Sequence, residues 1–305
     1  MNDNPTGRVD AANAHPSYAW AQTLLPIAPG TSLSEPFHEA MSHPAYPRSN
    51  AYDPRWIFAN AMGPIPTWQV EEIAPQMQFE PGQRVLDLGC GGALTSIFLA
   101  REYGVEVVAA DLWIDPEANA ARIAEAGCEA LVAPVRAEAR RLPFELGSFD
   151  AVVSFDAYHY FGTDIRYLSY LVQFVRPGGR IGIVSPGNTV DPDEVGAVAL
   201  PSDLAERYGA DWYTFRSADW WGRHWSRTLC VDVEVAAMVE GGRATWLRHG
   251  KAAEAWSAEA LKHLINRDMM DSEAGQTLGF CKVVARRNDR PTLNFGFGEY
   301  ETRIA

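Results

Sequence analysis

Arg84-Val85-Leu86-Asp87-Leu88-Gly89-Cys90-Gly91-Gly92-Ala93-Leu94-Thr95 joins a buried-strand pattern to a glycine turn and then to a helix with an apolar face. A second strand pattern, Val105-Glu106-Val107-Val108-Ala109-Ala110, ends at Asp111. An acidic side chain about 20 residues beyond the turn is placed to hydrogen-bond ribose hydroxyls, so this is a nucleotide-cofactor site in outline. Gly89, Gly91 and Gly92 let backbone N–H groups approach a ligand where a Cβ would intrude. A dinucleotide fingerprint also wants glycine at the sixth position of G-x-G-x-x-G; here that position is Leu94, which weakens a pyrophosphate reading.

Outward from this unit, strand and helix patterns alternate from Arg84 to Val184, the order of a parallel α/β sheet wound by crossover helices. Ser148–Ser154 reads as a fourth strand and Arg176–Val184 as a fifth. A Pro-, Gly- and Asp-rich connection follows, then a strand over Val231–Val239, a helix over Ala252–Met269 and a last strand over Leu278–Ala285. The Trp220-Trp221-x-x-His224-Trp225 cluster has helical spacing and reads as an anchor of a helix on the sheet.

Asp87, two residues before Gly89, together with Gly89-Cys90-Gly91-Gly92, resembles motif I of the class I S-adenosylmethionine (SAM) methyltransferases. The rest of that family's pattern follows in order: Asp111, then Glu138-Ala139 before Leu142-Pro143-Phe144, then the fourth strand, then Arg176-Pro177-Gly178-Gly179 opening the fifth. The resemblance implies a seven-stranded, mostly parallel Rossmann-like sheet with helices on both faces and an antiparallel final strand. It implies SAM as cofactor, leaving as S-adenosylhomocysteine. Asp87, Gly89, Cys90 and Gly91 would then surround the amino-acid end, Asp111 the ribose, and Leu112 and Trp113 the adenine. Glu138, in place of the usual Asp, lies beside Ala139 at the adenine amino group, and Phe155 closes the fourth strand at the cofactor.

Bulk properties narrow the acceptor. The 305 residues carry a formal charge of −13 and no basic run, which disfavours nucleic acid as substrate. No stretch of about 18 apolar residues occurs, and Met1-Asn2-Asp3-Asn4-Pro5 lacks the order of a signal peptide, so no membrane association and a cytoplasmic location are expected. Four scattered cysteines suggest neither disulfides nor a thiolate metal site, and no His pair has metal-ligand spacing. Cys90 reads as a small packing residue. A homodimeric assembly stays open.

Three regions are expected: an N-terminal arm and helical lid over 1–78, the methyltransferase domain over 79–287 with a substrate-shaping insertion at about 185–228, and a tail over 288–305. Residues 1–35 have little period. From Ser34 to Gln78 aromatics crowd into helices broken by prolines. Tyr46, Tyr52 and Trp56 there, with Tyr158 and Tyr160, could surround a positive charge or could simply be core. Arg48 and Arg55 could clamp a substrate carboxylate or form surface salt bridges. Phe155-Asp156-Ala157-Tyr158-His159-Tyr160-Phe161 emerges at the ligand end of the sheet and is the first choice for acceptor contacts, with His159, Asp156 and Tyr158 as catalytic candidates. His159 reads either as a base or as an oriented packing imidazole. Asp156 reads as its partner, as a site for a cationic substrate, or as a helix cap.

Methyl transfer is an in-line displacement that gains most from alignment, and a free lone pair needs no base. Lacking an evident base or metal, the chain is expected to methylate nitrogen or sulfur of a small amino-acid-like metabolite, as do the enzymes its aromatic, Arg-bearing lid is similar to, including those that convert methionine to S-methylmethionine. O- or C-methylation with His159 as base, a nicotinamide-type oxidoreductase and a non-catalytic SAM-binding protein are the alternatives.

Overall fold

The computed structural model describes residues 34–256 and 267–290; most of the expected arm and of the expected tail lie outside them. Seven strands form one sheet: β1 Arg84–Leu88, β2 Glu106–Asp111, β3 Val132–Arg136, β4 Phe149–Phe155, β5 Val175–Asn188, β6 Val231–Met238 and β7 Leu278–Arg287. Their order is β3-β2-β1-β4-β5-β7-β6. Strands β3 to β5 pair in parallel, and β7 runs antiparallel to both β5 and β6. The chain is an α/β fold built on one mostly parallel sheet, as the alternating pattern predicts.

Side chains alternate between the two sheet faces, so each parallel strand must be apolar throughout. On one face the helices Pro66–Met77, Leu94–Tyr103 and Pro116–Glu125 bring Ile73, Ile97, Phe98 and Ile123 against Val85, Val107 and Val153. On the other, Tyr167–Leu171 and Ala218–Ser226 bring Leu171, Trp221 and Trp225 against Leu86, Val152 and Ile181. The second of these helices is capped by Ser217, whose hydroxyl accepts from the Trp220 N–H at 3.1 Å, and its Trp221 and Trp225 are fully buried.

Three expectations shift. β5 continues past Val184 to Asn188 because β7 pairs with it as far as Asn188↔Leu278, a tertiary contact that the low strand propensity of Ser185-Pro186-Gly187-Asn188 conceals. The helix expected from Ala252 already begins at Gly242, immediately after Gly241 turns the chain with φ +70°; it runs to Trp256, and residues 257–266 lie outside the described residues. The third concerns the segment expected as arm and lid over 1–78, whose last helix packs on the sheet. Helix Pro66–Met77 is part of the sheet's own covering layer, pressed so closely on Gly182 of β5 that an added Cβ there would stand 2.4 Å from Met77 Sδ and 2.9 Å from Ile73 Cδ1.

The strand order reverses between β1 and β4, since the chain leaves β1 towards β2 and β3 and returns to the other side of β1 with β4. The crevice at the carboxyl ends of these two strands is where an open α/β sheet receives its ligand. Among the described residues no helix is long and apolar enough to cross a membrane.

Candidate active site

A cavity of about 770 Å³ opens at that crevice, towards the upper end of the roughly 300–1,000 Å³ usual for small-molecule sites. Its cofactor half is built by the ends of β1 and β2 and the segment after β3: Gly89, Cys90 and Gly91 from the turn, Asp111, Leu112 and Trp113, and Glu138 with Ala139 all line it. Gly89 and Gly91 have φ of +75° and +53°, the left-handed region where glycine is at ease. Neither has room for a side chain: an added Cβ would stand 2.5 Å from Ala157 Cβ at Gly89 and 2.7 Å from Met62 Sδ at Gly91.

The turn's amides are engaged by the protein itself, contrary to their expected approach to the ligand. Gly89 and Cys90 donate to the Ala110 carbonyl at 2.8 and 3.1 Å, and Gly91 donates to Asp111 Oδ2 at 2.9 Å. A pyrophosphate would find those donors taken, which agrees with Leu94 in place of the third glycine. Asp111 Oδ1 accepts from the Trp113 and Ile114 N–H groups at 2.8 and 3.0 Å, so this one buried carboxylate binds the turn, the following loop and the cavity wall together. Asp87 stands behind the turn rather than in the wall. Its Oδ2 accepts from Thr95 Oγ and Ser96 Oγ at 2.6 and 2.7 Å, anchoring the next helix, and burial pushes its carboxyl up to about 6 against those two donors. Burial likewise pushes the Cys90 thiol well up, out of nucleophile range.

The acceptor half is built by the segment after β4, by Asn60–Pro66 and by helix Gly242–Trp256. Tyr158–Tyr160 is a single 3-10 turn, whose three residues point in three directions. His159 and Tyr160 therefore face the cavity, whereas Tyr158 turns into the core among Phe161, Tyr167, Trp221 and Trp225 and does not line it. The expected catalytic role of Tyr158 has no access to substrate.

His159 is 2% exposed, its Nδ1 lies 3.0 Å from Ser185 Oγ, and burial drives its pKa down to about 3. It is a neutral, oriented imidazole whose ring centre lies 4.0 Å from that of Tyr160, the planes tilted by 40°. His159→Gln is expected to lower turnover by about tenfold or less, the scale of one neutral hydrogen bond, and to leave the pH–rate profile between 5 and 8 unchanged. A rate limb in that interval that vanishes in the variant would make His159 the base instead.

Asp156 is a carboxylate that burial strongly disfavours. It ends β4 with φ +56°, an uncommon conformation for a residue with a Cβ. Its backbone N–H donates to the Val184 carbonyl at 2.9 Å, and the residue lines the cavity. The carboxylate lies against Gly63, where an added Cβ would meet Oδ2 at 1.9 Å. No described cation or hydrogen-bond donor faces it, and desolvation pushes its pKa up to about 8.

The expected lid contacts are placed elsewhere. Tyr46 donates to Glu72 Oε1 at 2.7 Å and stacks on Trp68; Arg48 pairs with Glu102 at 3.0 Å; Tyr52 donates to the same Glu102 at 2.7 Å; Trp56 stacks on Tyr52; Arg55 pairs with Asp53 at 2.6 Å. None of the five lines the cavity. Tyr46, Arg48 and Tyr52 fasten the segment to the outside of helix Leu94–Tyr103 and helix Pro66–Met77, because their acidic partners Glu102 and Glu72 lie there, while Arg55 pairs locally with Asp53. The cavity instead receives Phe58, Asn60, Met62 and Gly63 from the same segment, and Trp246, His249 and Lys251 from helix Gly242–Trp256. His249 is buried, with its pKa lowered by desolvation to about 4. No motif marked these residues, since their helix lies far along the chain and has no composition that sets it apart from a packing helix.

Residues 85–179 match the methyltransferase domain family. The glycine/sarcosine/dimethylglycine N-methyltransferase of Actinopolyspora halophila is 26% identical over 132 residues, which are 42% of this chain and 23% of that protein. The demethylmenaquinone methyltransferase of Beutenbergia cavernae is 38% identical over 101 residues, 33% of this chain and 40% of that one. The chain thus spans well under two thirds of the length of these relatives. The structure of Haemonchus contortus phosphoethanolamine N-methyltransferase 2 with phosphomonomethylethanolamine and S-adenosylhomocysteine superposes with a TM-score of 0.64 at 20% identity, over 85% of this chain and 61% of that one. Over residues 85–179 the family match, together with the glycine turn and the sheet order, identifies a methyltransferase domain with the class I fold, whose solved neighbours hold SAM or S-adenosylhomocysteine. The nicotinamide-type alternative is set aside on the same grounds.

Proposed function

We propose that the chain transfers a methyl group from SAM to a nitrogen of a small amine. The observation that carries this reading is the Asp156 carboxylate, held over the acceptor half of the cavity without a described partner. A bound ammonium would relieve its desolvation, and the carboxylate would take the proton that leaves before the nitrogen can attack. SAM, when bound, supplies an electrophilic methyl on a sulfonium. The chain's own part is to align: Asp111, Leu112 and Trp113 would hold the nucleoside, the glycine turn the amino-acid end, and His159 and Tyr160 the wall beside the acceptor.

The N-methyltransferase names of the Actinopolyspora and Haemonchus proteins are consistent with nitrogen. Sulfur is the second reading, including the methionine thioether, because the same carboxylate would stabilise a nascent sulfonium. It is disfavoured for an amino-acid acceptor by the placement of Arg48 and Arg55 outside the cavity. His159-assisted O- or C-methylation is disfavoured by the lowered basicity of that imidazole. Incubation with methyl-labelled SAM and pooled metabolites, followed by mass identification of labelled products, is expected to return methylated amines. Labelled thioethers, phenols or carbon acceptors with no labelled amine would overturn the proposal.

A further inference from the structure

We infer that the acceptor is an amine carried on an apolar, aryl or alkyl, body, with no carboxylate or phosphate. The inference rests on the amine reading above and adds what the rest of the molecule must be. The acceptor half of the cavity is walled by Phe58, Met62, Phe161, Phe215, Trp246 and Met270. Such a surface gains by excluding water from hydrocarbon and offers aromatic faces to a cation.

Its charges point the same way. Beyond Asp156, the acceptor half is lined by the half-buried Asp211 and, at its exposed rim, by Glu254 and Asp271. Among the described residues the cations of the whole wall are Arg140 and Lys251. Arg140 belongs to the adenine side, paired with Glu138 at 3.6 Å and donating to the Tyr160 carbonyl. Lys251 is exposed and shares a helix face with Glu254, three residues on. A carboxylate or phosphate on the acceptor would leave water for a wall of carboxylates and aromatic rings in which no described residue is a dedicated cationic clamp, and that discriminates against it. Glycine and phosphoethanolamine, the acceptor types named for two relatives, each carry such an anion.

The step balances on this chain's own groups. The ammonium proton passes to Asp156, the freed nitrogen lone pair forms the N–CH₃ bond, and the breaking S–CH₃ bond leaves its electron pair on sulfur.

Calorimetric titration of the full chain, loaded with S-adenosylhomocysteine, tests this without requiring turnover. The probes are benzylamine, phenethylamine, glycine, phosphoethanolamine and benzyl alcohol. The two aryl amines are expected to bind at least about tenfold more tightly than glycine or phosphoethanolamine, a modest ratio for a pocket that accepts an apolar group and rejects a charge. Glycine or phosphoethanolamine binding as tightly as the aryl amines sinks the inference while leaving amine methylation standing. Benzyl alcohol binding as tightly as benzylamine sinks the amine reading while leaving the apolar body standing. Absence of binding by every amine overturns both.

Discussion

Asp156→Asn is expected to lower kcat/KM for an amine acceptor by about 10²–10⁴-fold, the range for loss of a positioned proton acceptor. Asn is the appropriate replacement because it tolerates the left-handed backbone that Asp156 adopts and keeps the side chain's shape. The parent should show a rising limb in kcat/KM with an apparent pKa near 8, the value to which desolvation pushes this carboxyl, and the variant should lack it. Changing the acceptor for one of different basicity separates that limb from the amine's own titration. Stability gives an independent reading with the opposite sign. The folded-state pKa lies above the unfolded value of about 3.9, so the ionised group is disfavoured in the fold. The melting temperature of the variant should therefore match the parent near pH 4, rise above it between pH 4 and 8, and keep that advantage at higher pH. A parent whose melting temperature is not lowered relative to the variant at pH 9 would place Asp156 in a solvated, ordinary setting and remove its catalytic rationale.

Asp111→Ala should weaken S-adenosylhomocysteine by about 10- to 150-fold, corresponding to roughly 1.5–3 kcal/mol for lost hydrogen bonds to a charged group. The loss has two origins. On the proposed cofactor placement the carboxylate would meet the ribose, and it also fastens Gly91, Trp113 and Ile114 through their N–H groups, so its removal should loosen the turn as well as the nucleoside pocket. Titration of a variant that keeps its far-ultraviolet circular dichroism is the measurement. Unchanged affinity would mean that the cofactor does not occupy this half of the cavity.

The sheet and its cofactor end were legible because their signals are local. Val85, Leu86 and Leu88 and the run Val107–Ala110 are apolar on both faces, and Gly89 and Gly91 must do without a Cβ, whatever surrounds them. The acceptor end was only partly legible because it is assembled from distant segments. A tyrosine looks the same in sequence whether it meets a ligand or a glutamate, and Glu72 and Glu102 decide the fate of Tyr46 and Tyr52 from helices in a different part of the chain. Tyr158 and His159 differ by one position in a 3-10 turn, which sends one to the core and the other to the cavity. Asp87 carried the right motif but a different task, holding Thr95 and Ser96 behind the turn.

Asn60–Pro66 lies over both halves of the cavity at once, with Met62 against Gly91 and Gly63 against Asp156. A single cover across two compartments imposes a sequence in time. The cofactor is expected to enter before the acceptor, and the used cofactor to leave after the methylated product. Steady-state kinetics should accordingly be compulsory-order, with S-adenosylhomocysteine competing against SAM but not against the acceptor. Random-order inhibition patterns would show that the two compartments have separate entrances.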